Sequence, residues 1–202
     1  MIDSYDKLTI GKYLEIKDVI NSDIDDIDKN VELICILGDY DEDTVLELPV
    51  ISFNRLLQST GFLYEECKPN KISTKYRLGN TVLETTIDLN KMTTSQFIDY
   101  QTFIKDERYM IDLLSVFLIP EGRNYNDGYD IGEVKKVIRD NLNIRDAMGI
   151  SAFFLLLFQS LFRSTATCSI RKLRKMMRKE KDMKVKKMYQ KAIENLETSG
   201  AF

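Results

Sequence analysis

The sequence contains no histidine and no tryptophan among its 202 residues, and only nine glycines, three prolines and three cysteines. The absence of histidine removes the commonest general base. It also excludes the histidine-dependent serine and cysteine nucleophile pairs and most catalytic zinc sites. The glycine-rich phosphate-binding patterns G-x-x-x-x-G-K-[ST] and G-x-G-x-x-G are also missing. Nothing supports an enzyme, so we predict no catalytic residue, no cofactor and no bound metal.

The three cysteines lie far apart, at Cys35, Cys67 and Cys168, and no C-x-x-C pair occurs. This spacing does not suit a zinc site, and an odd number of cysteines does not suit a disulfide framework. The acidic N-terminus also lacks the basic and then apolar pattern of a secretory signal. We therefore expect free thiols and a reducing, intracellular setting.

What the chain does have is a strong polarity of charge, which its net charge of −3 conceals. Residues 1–66 hold 5 basic and 16 acidic side chains, residues 67–162 hold 12 of each, and residues 163–202 hold 12 basic and 4 acidic ones. Such asymmetry bears on partners and solubility and not on the fold. The acidic head and the basic tail are expected to attract one another, within one chain or between neighbouring subunits.

Apolar periodicity and capping residues predict a mainly α-helical domain over residues 1–162. Thr9 and Asp130 are placed to cap helices, and Thr93 with Gln96 forms a capping-box pattern. Pro49 suits the first position of another helix. The acids of Asp39-x-Asp41-x-Asp43 imitate a calcium loop, but Thr44 replaces the required glycine, so we expect helix capping instead.

Residues 62–90 are predicted to form a small antiparallel sheet inserted between the helices. The segments FLYEE, ISTKYRL and TVLETTIDL are rich in β-branched and aromatic residues, and Gly79-Asn80 separates the last two. Two or three strands are expected, leaning on helices or on a neighbour because a lone hairpin is marginal in water. The following segment RYMIDLLSVFLI is predicted to be helical up to Pro120. The predicted fold class is α+β, mainly α-helical.

The segment AMGISAFFLLLFQSLF, residues 147–162, contains sixteen residues without a charge. As a helix it would be about 24 Å long, short of the roughly 30 Å hydrocarbon core of a bilayer. Its apolar residues surround the helix, which predicts burial on several sides. The alternatives are a central core helix or a contact between subunits, and a membrane span is not expected.

Residues 163–202 are predicted to form a long, basic, amphipathic helical tail. Methionines and aliphatic residues recur there at a spacing of three or four among twelve basic side chains. A partner-docking helix fits the methionines, which adapt to irregular surfaces. Plain packing, nucleic-acid binding and membrane-surface binding stay open, although only Tyr189 offers a ring for base stacking.

Two stretches of the sequence resemble small proteins of tailed bacteriophages. Residues 8–64, with two acidic helical segments and the turn LPVISF into a third helix, resemble the start of tail-assembly-chaperone-like proteins. FIDYQTF, residues 97–103, is similar to proteins from the structural gene blocks of crAss-like and other gut phages. The resemblance covers roughly half the chain, and it implies a virion or assembly protein without enzymatic activity.

The leading hypothesis is therefore a non-enzymatic structural protein of a phage particle at the portal, neck or tail. Its expected partners are other phage structural proteins and further copies of itself, in an oligomer or ring, and it would be located in the virion after assembly in the host cytoplasm. A soluble assembly chaperone and a nucleic-acid-binding accessory protein, contacting DNA through the basic tail, are the alternatives. The interaction candidates are Phe153, Phe154, Phe158, Phe162, Arg171, Lys172, Arg174, Lys175 and Arg178.

Overall fold

A computed structural model describes residues 1–85, 91–180 and 183–199, which form a mainly α-helical protein with one small sheet. The helices are α1 (Ile10–Asn21), α2 (Asp26–Gly38), α3 (Glu42–Leu46), α4 (Val50–Ser59), α5 (Thr94–Phe103), α6 (Met110–Phe117), α7 (Ile131–Asn141), α8 (Ile144–Lys179) and α9 (Met183–Ser199). The strands are β1 (Lys75–Leu78), β2 (Thr81–Thr85) and β3 (Leu118–Pro120). The predicted mainly helical α+β fold class is confirmed.

The chain divides into two compact units, Met1–Ser151 and Ala152–Phe202, which we call the N-terminal and C-terminal units. The N-terminal unit holds α1–α7, the sheet and the start of α8, and the C-terminal unit holds the rest of α8 and α9. The division predicted from the sequence, into a domain over residues 1–162 and a basic tail over 163–202, stays a prediction.

The predicted caps form hydrogen bonds to the backbone at the start of their helices. The side chains of Thr9, Asp41 and Asp130 accept hydrogen bonds from backbone N–H groups two or three residues later, before α1, α3 and α7. Thr93 and Gln96 complete the capping box of α5, because each side chain bonds the backbone of the other residue. These caps satisfy donors that a helix leaves unpaired at its N-terminus, and the predictions for them are confirmed.

The sheet is antiparallel with the order β1-β2-β3. The hairpin joins Leu78 and Thr81 through the two residues Gly79 and Asn80, as the sequence predicts. Gly79 has φ +58°, and glycine at the first central position is typical of a type II′ turn. The third strand is β3, in which Leu118 pairs with Thr85 of β2. The predicted strand residues 86–90 lie outside the described residues.

Two predictions for this region are wrong. FLYEE does not form a strand, since Thr60–Tyr64 is a 3₁₀ turn whose Phe62 ring packs edge-on against Tyr5 with centroids 5.1 Å apart. The predicted helix over RYMIDLLSVFLI ends at Phe117, and the residues after it become β3. In both places a contact with a distant segment outweighs the local preference: Phe62 packs on Tyr5, and Leu118–Pro120 pairs with the edge of β2.

We expect Gly79→Val to destabilise the protein by about 1–3 kcal/mol, because a β-branched residue tolerates a positive φ poorly. Gly61→Val is the matched control, since a Cβ at Gly61 meets no atom within 4 Å. Urea unfolding followed by circular dichroism measures both variants. Equal stability of the two would contradict the strained turn.

The N-terminal unit is closed by an antiparallel contact between two junctions that are far apart in sequence. The N–H of Ile10 donates to the carbonyl of Leu142 at 2.9 Å, and the N–H of Ile144 donates to the carbonyl of Leu8 at 2.9 Å. All four side chains are fully buried. The entry to α1 and the entry to α8 are therefore held together both by backbone hydrogen bonds and by burial of apolar surface.

The uncharged segment 147–162 lies within α8. Its first residues are buried on more than one side, because Gly149 is buried on the face opposite Ala147, whereas from Ala152 on the burial is confined to one stripe over the part whose side chains are described. Ala147, Ile150, Phe154 and Phe158 are at most 1% exposed, whereas Leu156 is 66% exposed. Burial on several sides is therefore found at the start of the segment and not further along it, over the part whose side chains are described. Over the described residues, none of the helices is both long and apolar enough to cross a membrane.

The predicted long basic tail helix is present in part. Its first half is the end of α8, which runs unbroken from Ile144 to Lys179. Its second half is the separate helix α9, which begins at Met183. The basic region is therefore built from two helices of the C-terminal unit and not from one.

Candidate interaction site

The five basic candidates lie together on the last turns of α8. Arg171, Arg174, Lys175 and Arg178 recur at a spacing of three or four residues, which places them on one face of the helix, with Lys172 beside them. All five are exposed and line one open cleft of about 1130 Å³. We call this cleft the basic cleft. The structure thus brings together the residues that the sequence selected from the tail.

An acidic residue of α9, Glu197, also lines the basic cleft. Arg174 donates a hydrogen bond from Nη2 to Oε1 of Glu197 at 2.8 Å. The two side chains are 58% and 47% exposed, so the ion pair stabilises the unit by at most about 1 kcal/mol. Its main consequence is geometric, because it ties the guanidinium of Arg174 on α8 to the last turn of α9.

The apolar side of this part of α8 faces α9. Met177 and Ile193 line a smaller cleft of about 320 Å³ between the two helices, and Ile193 is only 6% exposed. Leu173 is half-buried, one turn before Met177. Arg174 and Arg178 line this smaller cleft as well, so the side of α8 towards α9 carries both apolar and basic side chains.

The phenylalanine candidates are placed differently. Phe154 and Phe158 are each 1% exposed, so in this structure they pack in the interior and present no surface to a partner. Phe153 is half-buried, and its ring lies edge-on to that of Phe154 with centroids 5.2 Å apart. The side chain of Phe162 lies outside the described residues. The core alternative raised for this segment therefore fits Phe154 and Phe158.

The N-terminal unit carries an acidic surface on α2 and α3. The carboxylates of Asp26, Asp28 and Glu32 on α2 and of Asp43 on α3 are all exposed. Asp41 has a local role, because its Oδ1 accepts a hydrogen bond from the N–H of Thr44 at 2.8 Å. Hydrogen bonding to the side chain of Thr44, and then to this N–H, lowers the pKa of the Asp41 carboxyl group. The helix-capping interpretation of these acids is confirmed for Asp41.

A groove between α3 and α4 was missed by the sequence interpretation. It has a volume of about 310 Å³ and is lined by Tyr40, Thr44, Leu48, Ser52, Arg55 and Leu56. Leu46, Val50 and Ile51, on the same two helices, are 62%, 73% and 78% exposed. The sequence did contain a signal for this groove, because α4 has more apolar residues than one buried stripe can hold. Leu56 and Leu57 already pack on the α2 core, so Val50 and Ile51 are left outside it.

The cysteine thiols do not form a reactive centre in the part of the chain that the structure describes. All three are free, and burial raises the pKa of Cys35 and of Cys67. A raised pKa keeps a thiol protonated at neutral pH and lowers its nucleophilicity. Across residues 1–85, 91–180 and 183–199, no three side chains of metal-ligating type come together.

Comparison of the chain with protein-family models, with curated proteins and with solved structures returns no match.

Proposed function

We propose that the protein is a non-enzymatic structural component of a bacteriophage particle, at the portal, neck or tail, that acts through protein–protein contacts. The observation that carries the proposal is the separation of charge between the two units. Exposed carboxylates lie on α2 and α3, and the exposed cations of the basic cleft lie on α8. A chain that presents both signs on separate surfaces suits a subunit that bridges neighbours, because complementary potentials orient association.

The phage setting rests on the resemblance of residues 8–64 and 97–103. In the structure these two stretches form α1–α4 with their connecting turns, and α5. They hold the acidic surface and the α3–α4 groove, so the segment that resembles phage assembly proteins also exposes apolar and acidic residues. A surface of this kind is typical of a protein-binding role.

The composition of purified particles tests the proposal. Particles of the encoding phage are banded on a density gradient and washed with salt at about 1 M, where the Debye length falls to about 3 Å and exposed charge contacts are screened. The proteins that remain in the particles are quantified by mass spectrometry. We expect the chain at a fixed ratio to the portal protein before and after the wash. A chain abundant in the lysate but absent from particles would contradict the proposal and favour the assembly chaperone.

A nucleic-acid-binding accessory protein is the second candidate, and the basic cleft is the observation that favours it. Five exposed cations that each neutralise one phosphate would give a slope of about −4.5 for the logarithm of DNA affinity against the logarithm of salt concentration. We expect a much shallower slope, because the proposed partner is a protein. Fluorescence anisotropy with duplex DNA, comparing the wild type with Arg171→Glu/Arg178→Glu, measures it. A steep slope lost in this variant would favour nucleic acid.

A further inference from the structure

The basic cleft carries an excess of positive charge. Five cations and one carboxylate line it, and that carboxylate, Glu197, is already bonded to Arg174. The other acid of α9, Glu194, lines the smaller cleft and not this one. Arg171 and Lys175 form no ion pair with another residue that the structure describes. An occupant that suits the basic cleft is therefore negatively charged.

The spacing of these cations adds to the demand for a negative partner. Arg171 and Lys175 are four residues apart on α8, so their charges lie one above the other on the same face of the helix. Like charges at this spacing repel one another and weaken a helix. A partner that brings two carboxylates at the same spacing relieves this repulsion, because each cation then faces an anion.

The helix α2 presents two carboxylates at the matching spacing. Asp28 and Glu32 are four residues apart, both are exposed, and neither forms an ion pair with another described residue. We call them the acidic pair. Lys29, the one cation of α2, donates instead from Nζ to the carbonyl of Ile20 on α1 at 3.3 Å. The acidic pair therefore repels itself as the two cations of α8 do.

We propose that the acidic pair of one copy docks into the basic cleft of a second copy, with α2 antiparallel to α8. Asp28 then faces Lys175, and Glu32 faces Arg171. Asp28 lies in the first turn of α2, and Lys175 lies one turn before the end of α8. This order brings the positive N-terminal end of α2 beside the negative C-terminal end of α8, so the helix dipoles add to the attraction between the side chains.

Apolar surface lies next to both sets of charges. Ile27, which precedes Asp28, is 70% exposed, and Ile170 lines the basic cleft. Burial of apolar surface supplies affinity that exposed ion pairs lack, while the charges set the orientation. A nucleic acid makes less use of this lining, since none of the described residues that line the cleft has an aromatic ring for base stacking.

The contact joins two different surfaces of the chain. Each copy carries both the acidic pair and the basic cleft, so the association is head-to-tail. It generates a ring when the rotation between copies closes and an open filament when it does not. The inference rests on the proposed function and deepens it by naming the surfaces that join neighbouring subunits.

Charge-swap mixing of the full-length chain tests this contact. The α2 variant is Asp28→Lys/Glu32→Lys, and the cleft variant is Arg171→Glu/Lys175→Glu. In either variant alone the facing positions carry the same sign, so we expect self-association to weaken about tenfold or more in sedimentation velocity at low salt. In an equimolar mixture each altered surface meets one of the opposite sign, and association should recover to within about threefold of the wild type. A contact within one chain cannot recover on mixing.

The matched control is Asp127→Lys/Asp140→Lys, which makes the same change of charge at exposed acids outside α2. Its net charge equals that of the α2 variant, so its association should stay within about twofold of the wild type if location decides. Asp28→Asn/Glu32→Gln is a milder second variant that places no cation at the N-terminal end of α2. We expect it to weaken association about threefold or more, and circular dichroism establishes that each variant is folded.

The inference is overturned by a wild-type chain that stays monomeric up to a dissociation constant of about 1 mM, by a control as damaging as the α2 variant, or by a mixture that fails to recover. Duplex DNA that binds the wild type and the α2 variant but not the cleft variant, without self-association, would assign the basic cleft to nucleic acid instead. The composition of particles decides the proposed function separately. A chain that is present in particles but shows no recovery on mixing keeps the virion role and loses this contact alone.

Discussion

Phe154→Ala is expected to lower the free energy of unfolding by about 3–5 kcal/mol, because truncating a buried phenylalanine removes apolar surface and leaves a cavity. Phe154 is 1% exposed, and it also loses the edge-on ring contact with Phe153. Such a loss is a large part of the total stability of a protein of this size. Urea unfolding followed by far-ultraviolet circular dichroism measures the change.

Leu156→Ala is the matched control, because it lies two residues further along the same helix and is 66% exposed. Its expected effect is within about 0.5 kcal/mol. The pair separates loss of packing from any general effect of alanine on α8. If Leu156→Ala were as unstable as Phe154→Ala, the side chain of Leu156 would have to be buried, which would contradict its exposure in this structure.

Gly149→Ala is expected to destabilise the protein by about 2–3 kcal/mol through overpacking. A Cβ at Gly149 would lie 2.1 Å from the backbone oxygen of Asn70, and neither backbone segment is free to move away. The N–H of Asn70 donates to the carbonyl of Arg145 at 2.9 Å, and its side chain donates to Asp146 at 2.8 Å. The clash therefore pushes apart two segments that these hydrogen bonds hold together.

The sign of this effect decides between two physical terms. Helix propensity alone predicts that glycine to alanine within α8 stabilises the protein by about 1 kcal/mol. Steric overlap predicts the opposite, and at 2.1 Å it should dominate. Gly61→Ala is the control, since a Cβ there meets nothing within 4 Å. Thermal unfolding of both variants measures the difference, and a Gly149→Ala variant more stable than the wild type would refute the close approach.

Features that depend on a few neighbouring residues were predictable from the sequence. The caps at Thr9 and Asp130 and the capping box at Thr93 involve groups no more than three residues apart, so the pattern contains everything that the hydrogen bond needs. The hairpin at Gly79-Asn80 is predictable for the same reason. The start of α8 combines both kinds of contact, since Asn143 accepts from the nearby N–H of Arg145 whereas Asp146 accepts from the distant side chain of Asn70.

The candidate site was predictable in composition and not in placement. The spacing of Arg171, Arg174 and Arg178 determines that they share one face of a helix, and the structure confirms that they line one cleft. The same kind of pattern could not separate Phe154, which is buried, from Leu156, which is exposed. Both are large and apolar, and which of them is covered depends on the elements packed against α8.

By itself, then, the sequence determined the mainly helical class, the helix starts, the hairpin turn and the separation of acidic from basic residues, because each of these follows from local hydrogen bonding or from composition. Only the tertiary structure decided that Leu118–Pro120 completes the sheet, that Leu8 and Ile144 join two distant junctions, and that Gly149 receives the backbone of Asn70. These features depend on segments brought together from far apart in the chain. They are stabilised by burial of apolar surface and by hydrogen bonds between those distant segments. A local sequence pattern contains no information about such contacts.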